Sequence, residues 1–286
     1  MTRPDCGRIG VWSMELRFGD KALSADVASE LDELGYGAIW VPGGMGGPLT
    51  DDLKHLLDAT RTATIASGIL NLWMHEPADV AAWFAALPPG QQARTMLGLG
   101  VSHSHIVGET WGKPLAMMQG YLDKLAATGL PQENLCLAAL GPRMIELSGA
   151  RTAGAHPYLV TPDHTATARA ILGPGKLLAP EQGVVLETDP VRARELARGA
   201  LKAYLAYPNY RNSWMRLGFT EDDMVDGSDR LVDALFAWGD AAAIKRRVDE
   251  HFAAGADHVC IQVITGAGLD ANAALPAWRE LASALI

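Results

Sequence analysis

His103 and His105 stand one residue apart just after Gly98-Leu-Gly100, and an extended chain turns both imidazoles to the same side. Such a pair can ligate a metal, hand a proton to a reacting centre, or serve as polar loop residues, and spacing alone leaves all three open. For a metal the further ligands would be His156, Asp163 and His164, with no carboxylate-rich cluster beside them, so no metal site is expected. Glycines at 98 and 100 clear one face of a strand, and Gly68 within Ser67-Gly-Ile-Leu-Asn71 marks a bulge or a close contact. Ala138-Ala-Leu-Gly-Pro142, followed by Met144, Ile145 and Leu147, sets Gly-Pro at a helix start. Free backbone N–H groups there suit a phosphate or other anion, although an ordinary strand-to-helix turn has the same composition. Arg143, Arg151, Arg169 and Lys176 would draw an anion to this rim or lie solvated. Tyr204, Tyr207, Tyr210, Arg211, Trp214, Arg216 and Phe219 read as a helical cap packed on the core, a dimer contact, or a wall of a pocket.

Strand and helix patterns alternate along the whole chain and place these residues. Strands are predicted at Arg8 to Ser13, Ala38 to Val41, Thr64 to Leu70, Thr95 to Val101, Leu135 to Leu140, Tyr158 to Thr161, Gly183 to Glu187 and His258 to Ile264. Leu23, Val27, Leu31 and Leu34 trace one helix face, with Gly35 as its stop, and Leu53, Leu56 and Leu57 mark another. Pro42 to Pro48 is a Gly- and Pro-rich loop. One helix starts after Asp189-Pro190, and a second after Asp240, carrying Ile244, Val248 and Phe252 to a stop at Gly255. Eight apolar strands with helices between them indicate a single-domain α/β protein over residues 1–286, a closed (β/α)₈ TIM barrel with a helical segment inserted after strand seven. A doubly wound open sheet is the alternative, but no G-x-G-x-x-G follows strand one. In the barrel, chemistry belongs to the carboxyl ends of the strands, where the residues singled out above fall.

Composition narrows the function classes. With 24 basic against 33 acidic residues the net charge is -9, which repels a phosphate polymer, so nucleic acid is excluded as a partner. Apolar runs such as Thr64 to Leu72 are short, and the chain opens on Arg3, Pro4 and Asp5 without a secretory h-region, so no membrane contact and a cytoplasmic location are expected. Cys6, Cys136 and Cys260 are widely spaced, which argues against a disulfide framework. The 30 glycines in 286 residues exceed ordinary usage of roughly 7% and hint at close backbone approaches.

Taken in order, the pieces resemble the luciferase-like monooxygenase superfamily, in its branch of deazaflavin (coenzyme F420)-dependent oxidoreductases. The resemblance is carried by Gly10-Val-Trp12, Gly35-Tyr-Gly-Ala-Ile-Trp40, Gly68-Ile69, Leu97-Gly-Leu-Gly-Val-Ser-His103, Ala138-Ala-Leu-Gly-Pro142, Ala153-Gly-Ala-His-Pro-Tyr158 with Val160-Thr-Pro162, and Ala254-Gly-Ala-Asp257. It implies a barrel with its cofactor across the C-terminal mouth, and a non-proline cis peptide at Ser67-Gly68 or Gly68-Ile69. It implies, too, that Gly68, Ile69 and Asn71 meet the cofactor ring, that Gly100, Val101 and Ser102 up to His103 meet its edge, and that Ala139, Leu140, Gly141 and Met144 meet its phosphate, with Thr161 as a further contact. Gly68, Gly98, Gly100 and Gly141 would then line one groove.

Many deazaflavin relatives carry an acidic residue and a histidine just after strand two, where this chain has Pro42 and Gly43. The place of an acidic residue on strand four of similar sugar-phosphate dehydrogenases falls here on His103, which can perform the same proton transfer, with His105 as the second catalytic candidate. The implied activity is hydride transfer between F420 and a small organic substrate, by a homodimer as in many similar proteins. The alternatives are an FMN-dependent luciferase-like monooxygenase, a non-catalytic F420-binding protein, and a metal-dependent hydrolase built on the histidine pair.

Overall fold

The computed structural model describes residues 2–44, 46–102 and 112–286. Ten strands among them form one parallel sheet: β1 (Ile9–Trp12), β2 (Ala38–Gly43), β3 (Thr64–Asn71), β4 (Thr95–Gly100), β5 (Leu135–Leu137), β6 (Gly154–Ala155), β7 (Leu177–Leu178), β8 (Glu181–Val185), β9 (Phe236–Trp238) and β10 (Val259–Val263). Their order is β7-β6-β5-β4-β3-β2-β1-β10-β8-β9. β7 and β8 are one path of chain interrupted at Ala179 and Pro180, yet they stand near opposite ends of that order. A sheet whose two ends run along the same stretch of chain must curl round on itself. Ladder hydrogen bonds lie on both sides of this stretch: Ala179 and Glu181 N–H donate to Ala155 and Pro157 O, both at 2.9 Å, while Cys260 N–H donates to Pro180 O at 3.1 Å.

Helices fill the connections. They are α1 (Glu15–Phe18), α2 (Lys21–Glu33), α3 (Leu49–Ala59), α4 (Pro77–Ala86), α5 (Pro89–Gln92), α6 (Pro114–Thr128), α7 (Pro142–Arg151), α8 (Pro162–Leu172), α9 (Pro190–Leu201), α10 (Pro208–Arg216), α11 (Asp229–Leu235), α12 (Ala241–Ala253) and α13 (Ala271–Leu285). Local chemistry sets their ends. Asp189 caps α9 by accepting from Val191 and Arg192 N–H, Asp240 caps α12 by accepting from Ala243 N–H, and Gly35 and Gly255 take the left-handed conformation just past helix ends. α9 to α11 occupy the chain between β8 and β9 and close over a second apolar cluster that includes Leu159, Tyr210, Trp214, Leu231 and Phe236.

The strands are apolar on both faces, as parallel strands with helices outside must be. Ile39, Ile65, Leu97 and Val259 belong to the main apolar core together with Leu53, Leu56, Val248 and Leu281 of the helices. Trp12, Trp40, Met96, Cys6, Cys136 and Cys260 form a separate cluster, and the three thiols are free and buried. Trp40 is fully buried and stacks on His156 with ring centroids 4.2 Å apart, while its Nε1 donates to His258 Nε2 at 3.1 Å.

Three expectations from sequence need correction. Strand six is Gly154–Ala155 rather than Tyr158 to Thr161: Pro157 lacks an N–H, Leu159 has φ 52, and Thr161 already caps α8. Strand seven begins earlier than Gly183, in the broken run β7–β8, whose Pro180 and Glu181 disguise it. β9 was not anticipated, and Pro42 and Gly43 extend β2 rather than opening the loop. Among the described residues no helix is long and apolar enough to cross a membrane.

Candidate functional site

Backbone irregularity at the end of β3 is the first element of the site. Ser67 pairs with Leu97, but the next partners are Leu70 and Leu99, so β3 carries an extra residue, and the Gly68-Ile69 peptide is cis, one of the two positions expected. Trp12 Nε1 donates to Gly68 O at 3.2 Å and ties the bulge to β1. The alternating glycines on β4 accommodate this bulge. A Cβ on Gly98 would collide with Ser67 O, and one on Gly100 with the Ile69 side chain; one on Gly68 would lie 2.5 Å from Trp12 Nε1 and 3.0 Å from His156 Nε2. Of the four glycines expected along one groove, Gly100 and Gly141 stand in the wall of the cavity beside the bulge; a Cβ on Gly68, Gly98 or Gly100 would meet the protein's own atoms, whereas Gly141 has open space, its nearest neighbour being Arg216 Nη2 at 3.9 Å.

Beside the bulge, at the carboxyl ends of β3 to β6, lies a cavity of about 450 Å³, within the usual range for small-molecule sites. Of the residues expected to hold a cofactor, Ile69, Gly100, Val101, Ser102, Ala139, Leu140, Gly141 and Met144 come together in its wall. Gly68, Asn71 and Thr161 do not. Asn71 is buried, with its side chain donating to Gly44 O and accepting from Trp73 N–H, and the Thr161 hydroxyl accepts from His164 N–H as the cap of α8. His103 and His105 lie outside the described residues. Ser102, the last described residue before them, has φ 64, a left-handed conformation uncommon for a side chain other than glycine.

Reading by motif missed the opposite wall, formed by His156, Tyr158, Asn209, Tyr210, Asn212 and Arg216. The signal that would have found it is the aromatic and basic stretch of α10, for which a pocket wall was one of three readings. Tyr158 donates its hydroxyl proton to Gln262 Oε1 at 2.8 Å and accepts from Tyr204 at 3.3 Å, and its ring is 5.2 Å from that of Trp12. Burial pushes the phenols of Tyr158 and Tyr210 well above their ordinary range, so both remain neutral hydrogen-bonding groups. His156 is 1% exposed. Its Nδ1 donates to Ala179 O at 2.7 Å, since a carbonyl can only accept, which leaves Nε2 as a lone pair without a partner among the described residues. Burial lowers its pKa to about 4, so the ring is neutral.

The rim at α7 is positive. Met144 and Ile145 N–H are taken by Gly141 O and Pro142 has no N–H, while Gly141 offers no side-chain cap and no acidic side chain stands in the first turn to offset its dipole. Arg216 Nη2 donates to Leu140 O at 3.3 Å beside this turn and forms no ion pair among the described residues. Arg143, in the same first turn, is exposed. Among the described residues no group of three or more His, Cys, Asp or Glu is arranged to hold a metal ion.

A curled parallel sheet wrapped by helices, with a pocket at the carboxyl ends of its strands, defines a barrel-type α/β protein with a candidate small-molecule site. Residues 20–133 match the family model of luciferase-like monooxygenases, a stretch that contains Gly35–Trp40, Gly68-Ile69 and Leu97–His103 of the pieces in which the resemblance was read. Solved structures similar in fold include an F420-dependent secondary alcohol dehydrogenase in complex with an F420-acetone adduct, at TM-score 0.75 and 14% identity over 100% of both chains. They include as well the F420-dependent tetrahydromethanopterin reductase of Methanopyrus kandleri, at TM-score 0.72 and 13% identity over 99% of this chain and 98% of the other. The FMN-bound oxygenating constituent of 3,6-diketocamphane monooxygenase from Pseudomonas putida is similar at TM-score 0.72 and 14% identity, over 98% and 99%. At these identities the likeness is one of fold. No curated protein sequence matched the chain.

Proposed function

We propose that this protein is an F420-dependent oxidoreductase of the luciferase-like kind, acting on a small organic substrate. The observation that carries the reading is the cavity beside the β3 bulge, which gathers eight of the residues expected to contact the cofactor. The residues fit such a group: Ile69, Gly100 and Val101 offer an apolar surface to a flat ring, and the bare face of Gly141, the first turn of α7 and Arg216 offer a cradle to its phosphate. A bound deazaflavin would supply a carbon centre that carries hydride; the chain's part is to align the partners, exclude water and move one proton. His103 and His105 are our candidates for the proton. In this reading the chain forms the (β/α)₈ barrel of its relatives, α9 to α11 are its inserted segment, and the protein is a homodimer.

Titration with oxidised F420 and, separately, FMN, followed by quenching of cofactor fluorescence, tests the reading. Saturable F420 binding is the expected result. Saturation by FMN alone would transfer the assignment to a flavin monooxygenase, a second reading favoured by the FMN-bound neighbour, whose TM-score of 0.72 equals that of the F420-dependent tetrahydromethanopterin reductase. Binding of neither would overturn both.

A further inference from the structure

Behind the tyrosine wall of the cavity lies a carboxyl group that the proposed chemistry does not use. Glu181 on β8 is 1% exposed, and no cation pairs with it among the described residues. Its Oε2 accepts from Leu159 N–H at 3.0 Å, and its Oε1 has no hydrogen-bond partner among the described residues. Leu159 has φ 52, a left-handed conformation that a γ-branched residue adopts only when its surroundings impose it. They do so from both sides, because Trp214 Nε1 donates to Leu159 O at 3.1 Å while Glu181 takes the N–H. The turn so fixed is the one that carries His156 and Tyr158 into the cavity wall.

We propose that Glu181 is a positioning residue which, as an uncharged acid, holds the 156–159 turn and with it the tyrosine face of the ligand cavity, and that its ionisation loosens that face. A buried carboxylate with one hydrogen bond and no counter-charge is unstable enough to draw water or rearrange its cover. Its cover is Tyr158, Tyr204 and Tyr210, with Cys260 on the neighbouring strand, all neutral groups. Burial raises the Glu181 pKa to about 8. The same burial pushes those phenols and the thiols upward and the imidazoles of His156, His251 and His258 downward, so that of these buried groups it is Glu181 that titrates in this window.

The inference concerns the empty protein, so its test does not depend on which cofactor binds. Infrared spectra of the full chain, with glutamate side chains carrying ¹³C, are expected to show a protonated carboxylic acid at pH 6.5. That band should vanish as pH rises through about 8, together with a step in the near-ultraviolet circular dichroism of the tyrosines. Glu181→Gln keeps an oxygen for Leu159 N–H and removes the charge; it is expected to lack both the band and the step while retaining the aromatic signature of the parent at pH 6.5. For whichever cofactor binds, affinity should fall severalfold between pH 7 and 9 in the parent and stay level in Glu181→Gln. Absence of the acid band, or its loss with no change in the aromatic signal, would overturn the proposal, and so would the same step in the variant. If the variant does not fold, the labelled parent alone decides between these outcomes.

Discussion

At single positions the structure separates glycines that the sequence makes look alike. Gly98 and Gly68 have no room for a methyl group, because Ser67 O and Trp12 Nε1 already occupy its place, whereas Gly141 opens on the cavity. Gly68→Ala is therefore expected to cost about 1–3 kcal/mol by overpacking, read as a lower denaturation midpoint. Gly98→Ala is expected to cost more, since the obstructing atom is backbone. Gly141→Ala should leave the midpoint unchanged and weaken cofactor binding in the fluorescence titration. Arg216→Ala should behave like Gly141→Ala, with affinity for a phosphate-bearing cofactor falling about tenfold, as loss of one charge-assisted contact implies. The half of the site made of glycines and small residues at strand ends was legible because such residues punctuate a strand visibly. Tyr158 was not, since its apolar neighbours read as a strand, nor were Asn209 and Tyr210, since an aromatic helix reads equally well as core and only the path of α10 over the cavity distinguishes the two.

At the level of elements, hydrophobic period and capping made most strands and helices readable, and backbone exceptions hid the rest. α9 and α12 announce themselves through Asp189 and Asp240, while β6 is two residues long and is followed by a turn that its apolar sequence disguises as a strand. A tertiary tie can also be assigned to one side chain. Asp32, at the end of α2, accepts from the N–H groups of Arg61, Thr62 and Ala63 and from the Thr62 hydroxyl, and so fastens the helix to the entry of β3. Burial by itself would raise its pKa, but these four donors outweigh it and the net shift is downward. Asp32→Ala is expected to cost about 1–3 kcal/mol in urea unfolding at pH 7, because it leaves several N–H groups without their acceptor. A depressed carboxyl stabilises above its unfolded pKa and loses that contribution as pH falls through the folded value. The deficit of the variant should accordingly shrink toward pH 3.

For the molecule as a whole, the curling of the sheet brings titratable side chains into a closed interior, and their opposite shifts shape its stability. His156 and His258 are lowered to about 4 and His251 to about 3 by burial, each held neutral in a hydrogen-bonded setting. Below about pH 6.5 the unfolded chain takes up protons that the folded chain refuses, so stability is lost as pH falls from there toward 4. Glu181 works in the other direction. Raised from 4.5 to about 8, it keeps its proton in the fold while the unfolded chain releases it, so its contribution is full below 4.5 and lost as pH rises toward 8. His75 and His164 are lowered by burial as well, so the histidines outnumber the one carboxyl raised to about 8, the acid limb is the steeper, and the maximum is expected near pH 6.5. Above it the loss should approach roughly 1.4 kcal/mol per pH unit, the slope for one proton, and level off past pH 8. Urea unfolding midpoints between pH 5 and 9 measure this directly. In Glu181→Gln the alkaline decline should disappear and the acid limb should steepen above pH 4.5 by the one proton that Glu181 otherwise sets against the histidines; an unchanged alkaline limb would show that Glu181 is already ionised in the folded protein.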